Sequence, residues 1–405
     1  MAVSVPTVGA PARPVSAGET GRTSALATEW TIYAVVYASA SIVVGLIWDI
    51  SWHRTIGRDT FWSPPHLLEQ AGAIVSGISC GYLVLRTTFA GTGEARDSAV
   101  TYWKYFRGPL GAWVCIWGSL MMIASAPFDN WWHNAYGLDV KIISPPHAVL
   151  AWGMYAIELG AMLMALAAQN RSENEIELRR LARVFTLCAA LLVTMALTVV
   201  MEEAAYPNEM HSSKFYIITA YMVPLFLVAF ARASRVSWPA TRIAAVYMII
   251  GLLAMWILQL FPGSPKLAPI YNVVTHMVPP PFPLLLIFPA VAIDLLMKRF
   301  GDGRDWRLAP LLGVAFVGVM VLAHWPWAEF MLTPASDNFL LGGHIWDYTA
   351  RPGPWQLEFW SLDARAGERW SADLFLIRLL IAMALASVMA RIGLALGKGL
   401  SRVRR

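Results

Sequence analysis

A cluster of metal-ligand residue types lies between two long apolar runs near the start of the chain. Residues 48–66 read WDISWHRTIGRDTFWSPPH. Asp49 and His53 are four residues apart, so they share one face of a helix. His66 follows two prolines, which favour the first turn of a helix, and Ser63 stands where it can cap that helix. Two imidazoles and one carboxylate therefore meet at the mouth of a helical hairpin. These groups are ligands for copper, zinc and iron.

The same pattern occurs a second time about eighty residues later. Residues 128–147 read FDNWWHNAYGLDVKIISPPH. Asp129 and His133 repeat the spacing of the first pair, and His147 again follows two prolines. A repeat of this kind predicts one unit, helix, ligand loop and helix, that is used twice. Three protein ligands at each site leave coordination positions open for water, dioxygen or substrate.

Further polar residues in these segments are candidates for a supporting role. Asp59 and Asp139 each stand six residues after the first histidine of their segment, where they could accept the second ring N–H of a ligand imidazole. The alternative is that Asp59 pairs with Arg58 to shape the loop. Glu69, one turn after His66, completes the supporting set. The sequence assigns no catalytic residue.

The composition indicates which elements position these groups. Of the 405 residues, 57% are hydrophobic and only 14% are charged, whereas soluble domains carry about 25% charged residues. Apolar runs of spanning length fall at 30–48, 66–85, 109–126, 147–168, 184–201, 215–231, 243–261, 281–297, 308–325 and 373–392. We therefore predict an all-α, polytopic integral membrane helix bundle of about ten transmembrane helices. Its partner is the lipid bilayer, and no nucleic-acid partner is expected.

The predicted helices divide the chain into five parts. They are a disordered cytoplasmic tail (1–28), a duplicated metal-binding four-helix unit (29–170), five further membrane helices (171–325), an extracytoplasmic aromatic-rich loop (326–372), and a last helix with a basic cytoplasmic tail (373–405).

The basic residues indicate the orientation in the membrane. One set of alternate loops and tails holds 22 of the 31 Lys and Arg residues, and the other set holds 8. The positive-inside rule then places both termini in the cytoplasm and the two metal segments on the extracytoplasmic side, in what we expect to be a bacterial inner membrane. All eight histidines fall in or beside the non-cytoplasmic loops. We expect the four repeated ones to be ligands, and the other four (His211, His276, His324 and His344) to be interface residues.

The three cysteines, Cys80, Cys115 and Cys188, lie alone inside apolar runs. No CxxC pair is present. The sequence therefore predicts ordinary packing for them, and neither a disulfide nor a thiolate metal site.

The first segment resembles the C subunit of the copper membrane monooxygenases, the particulate methane and ammonia monooxygenases. That family carries an Asp-x3-His-x12-His copper site within a longer pattern. The matching residues here are Asp49, Trp52, His53, Thr55, Ile56, Arg58, Asp59, Thr60, Pro64, His66 and Glu69. The second segment is similar to the family's Asn-x3-His-x13-His site, with His133, Pro145 and His147 matching and Asp129 in place of the Asn. The resemblance covers about residues 30–170.

This resemblance implies a copper-binding membrane oxidoreductase that oxidises a small apolar substrate with dioxygen at the outer membrane boundary. It also implies a quinol as electron source, and either other monooxygenase-type subunits or a homo-oligomer as partners. Two alternatives stay open. One is a non-catalytic copper- or zinc-binding membrane protein for storage, sensing or transfer. The other is a metal- or proton-coupled transporter, which charges deep in the membrane and broken helices would favour.

Overall fold

A computed structural model describes residues 17–57, 62–91, 93–137, 144–201, 205, 210–263, 275–301, 303–342 and 371–405. The long helices are α1 (Ala17–Thr55), α2 (Pro64–Phe89), α4 (Leu110–Tyr136), α5 (Pro145–Arg171), α6 (Glu175–Val200), α7 (Ser213–Ala233), α8 (Pro239–Leu258), α9 (Ile287–Phe300), α10 (Asp305–Met331) and α11 (Ala372–Leu400). The short helix α3 (Glu94–Asp97), the strands β1 (Val100–Tyr102) and β2 (Phe106–Gly108), and a 3-10 turn (Pro334–Ser336) complete the regular elements.

Within the described residues, nine helices are long and apolar enough to cross a membrane. The prediction of an all-α, polytopic membrane bundle is therefore confirmed. Helix α1 begins inside the segment predicted as a tail, and residues 1–16 lie outside the described part of the chain. The loop predicted at 326–372 is described only to residue 342 and from residue 371.

The eighth predicted span, at 281–297, is wrong in its first half. Residues 275–286 are not helical, and α9 has only 14 residues. Pro279, Pro280, Pro281 and Pro283 cause the difference, because each lacks a backbone N–H and its ring clashes with a preceding helical turn. The short helix is held from the side: Asp294 accepts hydrogen bonds from the backbone N–H groups of Ala240 and Thr241 at 3.1 and 2.8 Å, at the start of α8.

The first half of the molecule is built from two antiparallel hairpins, α1–α2 and α4–α5. Gly118 and Gly153 bring α4 and α5 together, since a Cβ on either would come within 2.8 Å of the other's carbonyl oxygen. Close approach through small residues is the usual way in which membrane helices associate. Helix α2 runs antiparallel to α4: the Gln70 amide donates to the Met122 carbonyl at 3.4 Å, and Thr88 accepts the Arg107 N–H at 2.8 Å beyond the other end of α4. The start of α2 and the end of α4 therefore lie at the same end of the bundle.

One polar contact joins the end of α1 to the Pro-rich segment, and another joins two helices of the second half. The Thr55 hydroxyl, at the end of α1, accepts the buried Val278 N–H at 2.9 Å. On the other half, the Arg232 guanidinium donates to the Asp305 carboxylate at 2.7 Å and ties α7 to α10. The Pro-rich segment thus packs against the helix that carries Asp49 and His53.

Candidate metal centre

The first triad closes as the sequence predicted. Helix α1 continues through Asp49 and His53 and ends at Thr55, while His66 lies in the first turn of α2. The Asp49 carboxylate lies between the two imidazoles: Oδ2 is 3.7 Å from Nε2 of His53, and Oδ1 is 3.1 Å from Nε2 of His66. One ligand atom from each of the three residues lies within 4.8 Å of the others. No other group of three such residues in the described part of the chain is as tight.

The second triad pairs the same atoms, although its three ligand atoms do not all lie within 4.8 Å of one another. Oδ2 of Asp129 is 3.3 Å from Nε2 of His133, and Oδ1 is 3.6 Å from Nε2 of His147. Again one carboxylate lies between two Nε2 atoms, with the first histidine at a helix end and the second in the opening turn of the next helix. The carboxylate of this triad is the more exposed of the two, at 24% for Asp129 and 17% for Asp49, whereas its first histidine is the less exposed, at 25% for His133 and 40% for His53.

Both aspartates hold a buried oxygen that accepts no hydrogen bond. Oδ1 of Asp49 and Oδ1 of Asp129 are each enclosed, and neither accepts a hydrogen bond from any residue that the structure describes. Each of these oxygens does lie near an imidazole Nε2, at 3.1 Å from His66 and 3.6 Å from His147. The angles at these contacts are not those of a hydrogen bond. Buried polar atoms are almost always satisfied, so an exception at the same atom of two repeated sites calls for an explanation. A cation held between carboxylate and imidazoles supplies one, and the nitrogen and oxygen donors fit copper or zinc.

Glycines end both ligand-bearing helices. Gly57 (φ 101°) and Gly137 (φ 84°) adopt backbone angles that disfavour any residue with a Cβ. The carbonyl of Gly137 lies 3.2 Å from Nδ1 of His133. Since a carbonyl only accepts, this contact assigns the proton to Nδ1 and leaves the Nε2 lone pair directed at Asp129. A backbone partner of this kind fixes the tautomer of a metal ligand.

The start of the second helix differs between the two hairpins. Ser144 caps α5 by accepting the backbone N–H of His147 at 3.4 Å, so the cap holds a ligand residue directly. Ser63 occupies the equivalent N-cap position of α2, but its side chain makes no capping bond, and the prediction that it would cap is wrong. Two prolines at the first helical positions fix the start of α2 without it, because their φ angle already suits a helix.

The supporting residues are only partly described. Glu69 lies one turn after His66 in α2, is 2% exposed, and packs where Gly45 of α1 leaves room for its side chain. Its role as a supporting residue stays a prediction. Arg58, Asp59 and Asp139 lie outside the described residues.

Two of the other four histidines, His324 and His211, are buried inside the protein. His324 is fully buried in α10; its Nε2 accepts the Leu285 N–H at 3.3 Å, which leaves Nδ1 to donate to the Met320 carbonyl at 3.2 Å. His211 is also buried, with its ring 4.6 Å from that of Trp325 and its Nε2 3.2 Å from the Glu329 carboxylate. Both lie inside the protein, so the expectation that they are interface residues is wrong for them. His276 is exposed beside Thr275, and His344 lies outside the described residues.

Sequence reasoning missed one ionisable residue of interest. Glu158 is the central residue of α5 and is completely buried. A carboxyl group in the middle of an apolar run was visible in the sequence, but only the structure reveals which helices surround it.

No family model, curated protein or solved structure matches the chain.

Proposed function

We propose that this chain is a copper-binding membrane oxidoreductase with two mononuclear sites, one at each Asp-His-His triad. The observation that carries the proposal is that each aspartate carboxylate lies between two imidazole Nε2 atoms, and that its Oδ1 is buried without a hydrogen bond from any described residue. Two neutral imidazoles and one carboxylate give a donor set of charge −1. A bound metal cation would stabilise this negative charge, which is otherwise unfavourable in a half-buried site.

The protein's own residues would hold the metal and leave one side of it open. The side chains of His53 and His147 are 40% and 31% exposed, so each triad stays accessible from outside the bundle. Copper in such a site supplies a redox centre that can react with dioxygen and oxidise a small apolar substrate. In the second triad, the Gly137 carbonyl accepts from Nδ1 of His133, which would leave Nε2 free to bind a metal.

An apolar substrate has a short route to the first triad. Trp48 and Trp52 flank Asp49 on α1 and pack against a buried cluster that contains Ile42, Ile47 and Met277. In this proposal, a small hydrocarbon dissolved in the bilayer reaches the triad past these apolar side chains.

Metal analysis in native lipid tests this proposal. We expect about two copper ions per chain and an electron paramagnetic resonance spectrum of Cu(II) with nitrogen ligands. Oxygen uptake should then depend on added copper, on a quinol and on a light hydrocarbon or ammonia. Zinc alone would give no such spectrum because Zn²⁺ is d¹⁰. A protein that binds no copper after loading would contradict the site assignment.

A second candidate is a copper-transfer or storage protein that performs no turnover. Methionine side chains from three helices (Met122, Met154 and Met195) belong to the buried cluster adjoining the triads. Thioethers are ligands for Cu(I). This candidate predicts reversible copper binding with no oxygen uptake under any of the conditions above.

A further inference from the structure

All three cysteines of the chain lie at the same interior region, although each belongs to a different helix. Cys80 of α2, Cys115 of α4 and Cys188 of α6 are each 0% exposed. Cys80 and Cys115 interact with each other, and the Cys115 thiol also donates to the carbonyl of Ile157, the residue before Glu158, at 3.7 Å. The helix register agrees: a Cβ on Gly77 would lie 3.1 Å from the Cβ of Ser119, and in antiparallel helices this contact places Cys80 opposite Cys115. The three cysteines are far apart in the sequence, so their proximity is visible only in the structure.

Glu158 lies beside these thiols. It interacts electrostatically with Cys188, which in turn interacts with Cys115. The Ser39 hydroxyl interacts with the Glu158 carboxyl group, but among the described residues neither carboxyl oxygen has a partner with the geometry of a hydrogen bond. An ionisable side chain at the centre of a membrane helix is expensive to keep there and usually has a function. Cysteine alone packs well as a small apolar residue, so packing explains the thiols but leaves Glu158 unexplained.

We infer that Cys80 and Cys115, with Glu158 and Cys188 beside them, form a binding site for the soft monovalent ion Cu(I) in the membrane interior. Thiolate sulfur selects Cu(I) over the divalent ions that prefer nitrogen and oxygen donors. The four side chains do not close to within 4.8 Å as the first triad does, so the ion is held by the Cys80–Cys115 pair. In this medium of low dielectric constant an electroneutral complex is favoured, so one proton leaves the site for each Cu(I) that enters.

Methionines connect this site with the second triad. Along α4, Cys115, Met122 and Asp129 follow one another at intervals of seven residues, which is about 10.5 Å along a helix. Met122 packs against Gly153 of α5, and the next residue, Met154, belongs to the same buried cluster. Their thioethers lie between the exposed triad and the buried thiols, so they offer intermediate ligands to a Cu(I) ion that moves inward. The inference requires that the chain meets copper, and it does not depend on oxygen chemistry at the triads.

X-ray absorption at the copper edge, on the full chain in lipid nanodiscs loaded anaerobically with Cu(I), tests the site in the unmodified protein. We expect sulfur neighbours around part of the copper, and one proton released for each ion bound at the interior site. A copper environment made only of nitrogen and oxygen would overturn the inference. Because this measurement uses no variant, it does not depend on how a substitution affects folding.

Competition with a Cu(I) chelator then assigns the ligands. The double variant C80S/C115S should lose the sulfur-bound Cu(I) and keep Cu(II) at the triads, whereas H53A/H133A should do the reverse. Unchanged Cu(I) binding in C80S/C115S contradicts the inference and leaves the proposed function standing. Loss of Cu(II) in H53A/H133A supports the triads whatever happens at the thiols, so the two proposals fail separately.

The rate of loading tests the methionine connection. Met122→Leu keeps the volume but removes the sulfur, so we expect slower Cu(I) uptake with the same final amount. Met320→Leu, at a buried methionine of α10 in the other half of the chain, is the matched control. Equal uptake rates in both variants and the wild type would overturn the route through Met122.

Discussion

The four repeated histidines and His324, which is buried in the second half, differ in how the polar atoms around the ring are satisfied. In the hairpins, His66 and His147 each face an aspartate oxygen that accepts no hydrogen bond. In α10, by contrast, His324 uses both ring nitrogens on backbone groups and needs no further partner. Burial does not separate the two cases, since the satisfied histidine is the more buried one. The difference lies in whether the polar atoms around the ring are already satisfied.

Removal of a triad histidine should have the largest effect on metal content. His66→Ala takes away the imidazole closest to Asp49, and we expect copper affinity at the first triad to fall by more than the roughly 100-fold that loss of a supporting contact can cause. Elemental analysis and electron paramagnetic resonance of the protein in native lipid measure this loss. His276→Ala, an exposed histidine outside both triads, is the control and should retain all its metal. Equal loss in both variants would break the distinction between the two groups of histidines.

Gly137→Ala should have the next largest effect, confined to the second triad. Alanine disfavours the φ of 84° that the backbone adopts here, so the carbonyl that orients His133 moves. We expect copper affinity at that triad to fall by about 10- to 100-fold, with the first triad unchanged. Stepwise copper titration separates the two sites.

Gly303→Ala provides the matched control for backbone strain. Gly303 has a φ of 96° and open space around it, far from either triad in the sequence. The control should lose as much thermal stability as Gly137→Ala and no copper affinity. If both variants bind copper like the wild type, the Gly137 carbonyl does not orient the ligand.

The sequence predicted how the side chains of the two triads come together better than it predicted the rest of the interior. The apolar runs had to be helices because a bilayer offers the backbone no other partners. Spacing of four residues and a proline-led second helix then sufficed to bring Asp49, His53 and His66 together. All of that information is local to one hairpin, which is why it could be recognised before the structure was known.

Contacts between hairpins could not be predicted in the same way. The approach of Cys80 to Cys115 depends on how α2 packs against α4, and nothing within either segment specifies that pairing. The eighth span failed for a different reason: mean hydropathy counts a proline-rich stretch as apolar, although proline cannot form the helix. His324 looked like an interface residue because the sequence does not reveal its two backbone partners. The Leu285 N–H lies in the Pro-rich stretch, far away along the chain, and the Met320 carbonyl lies in the same helix as His324.

His324→Leu should change stability and leave metal content alone. Leucine fills a similar space but cannot accept the Leu285 N–H, and a buried N–H without a partner costs about 1–3 kcal/mol in the free energy of unfolding. Thermal or denaturant unfolding in detergent measures this change, and elemental analysis should find the full copper content. Leu322→Ala, at a position of α10 that is 77% exposed, is the control for substitution in the same helix. Copper loss in His324→Leu would place this histidine with the ligand group.

The pH response of His211 should be the smallest effect and the most specific to the second half of the chain. Burial lowers the pKa of His211, while the Glu329 carboxylate and the Trp325 backbone act in the opposite direction. The folded protein therefore favours the neutral imidazole, and the unfolded chain binds the proton more readily. It follows that stability is highest above the ordinary histidine pKa of about 6.5 and falls as the pH drops through that value.

His211→Gln cannot titrate, so its Tm should fall less than that of the wild type between about pH 8 and pH 5. Glu329→Gln should have the opposite effect, because without the carboxylate the pKa of His211 is lower still and the loss of stability in acid is larger. Identical pH profiles for all three proteins would mean that the burial of His211 does not control its protonation.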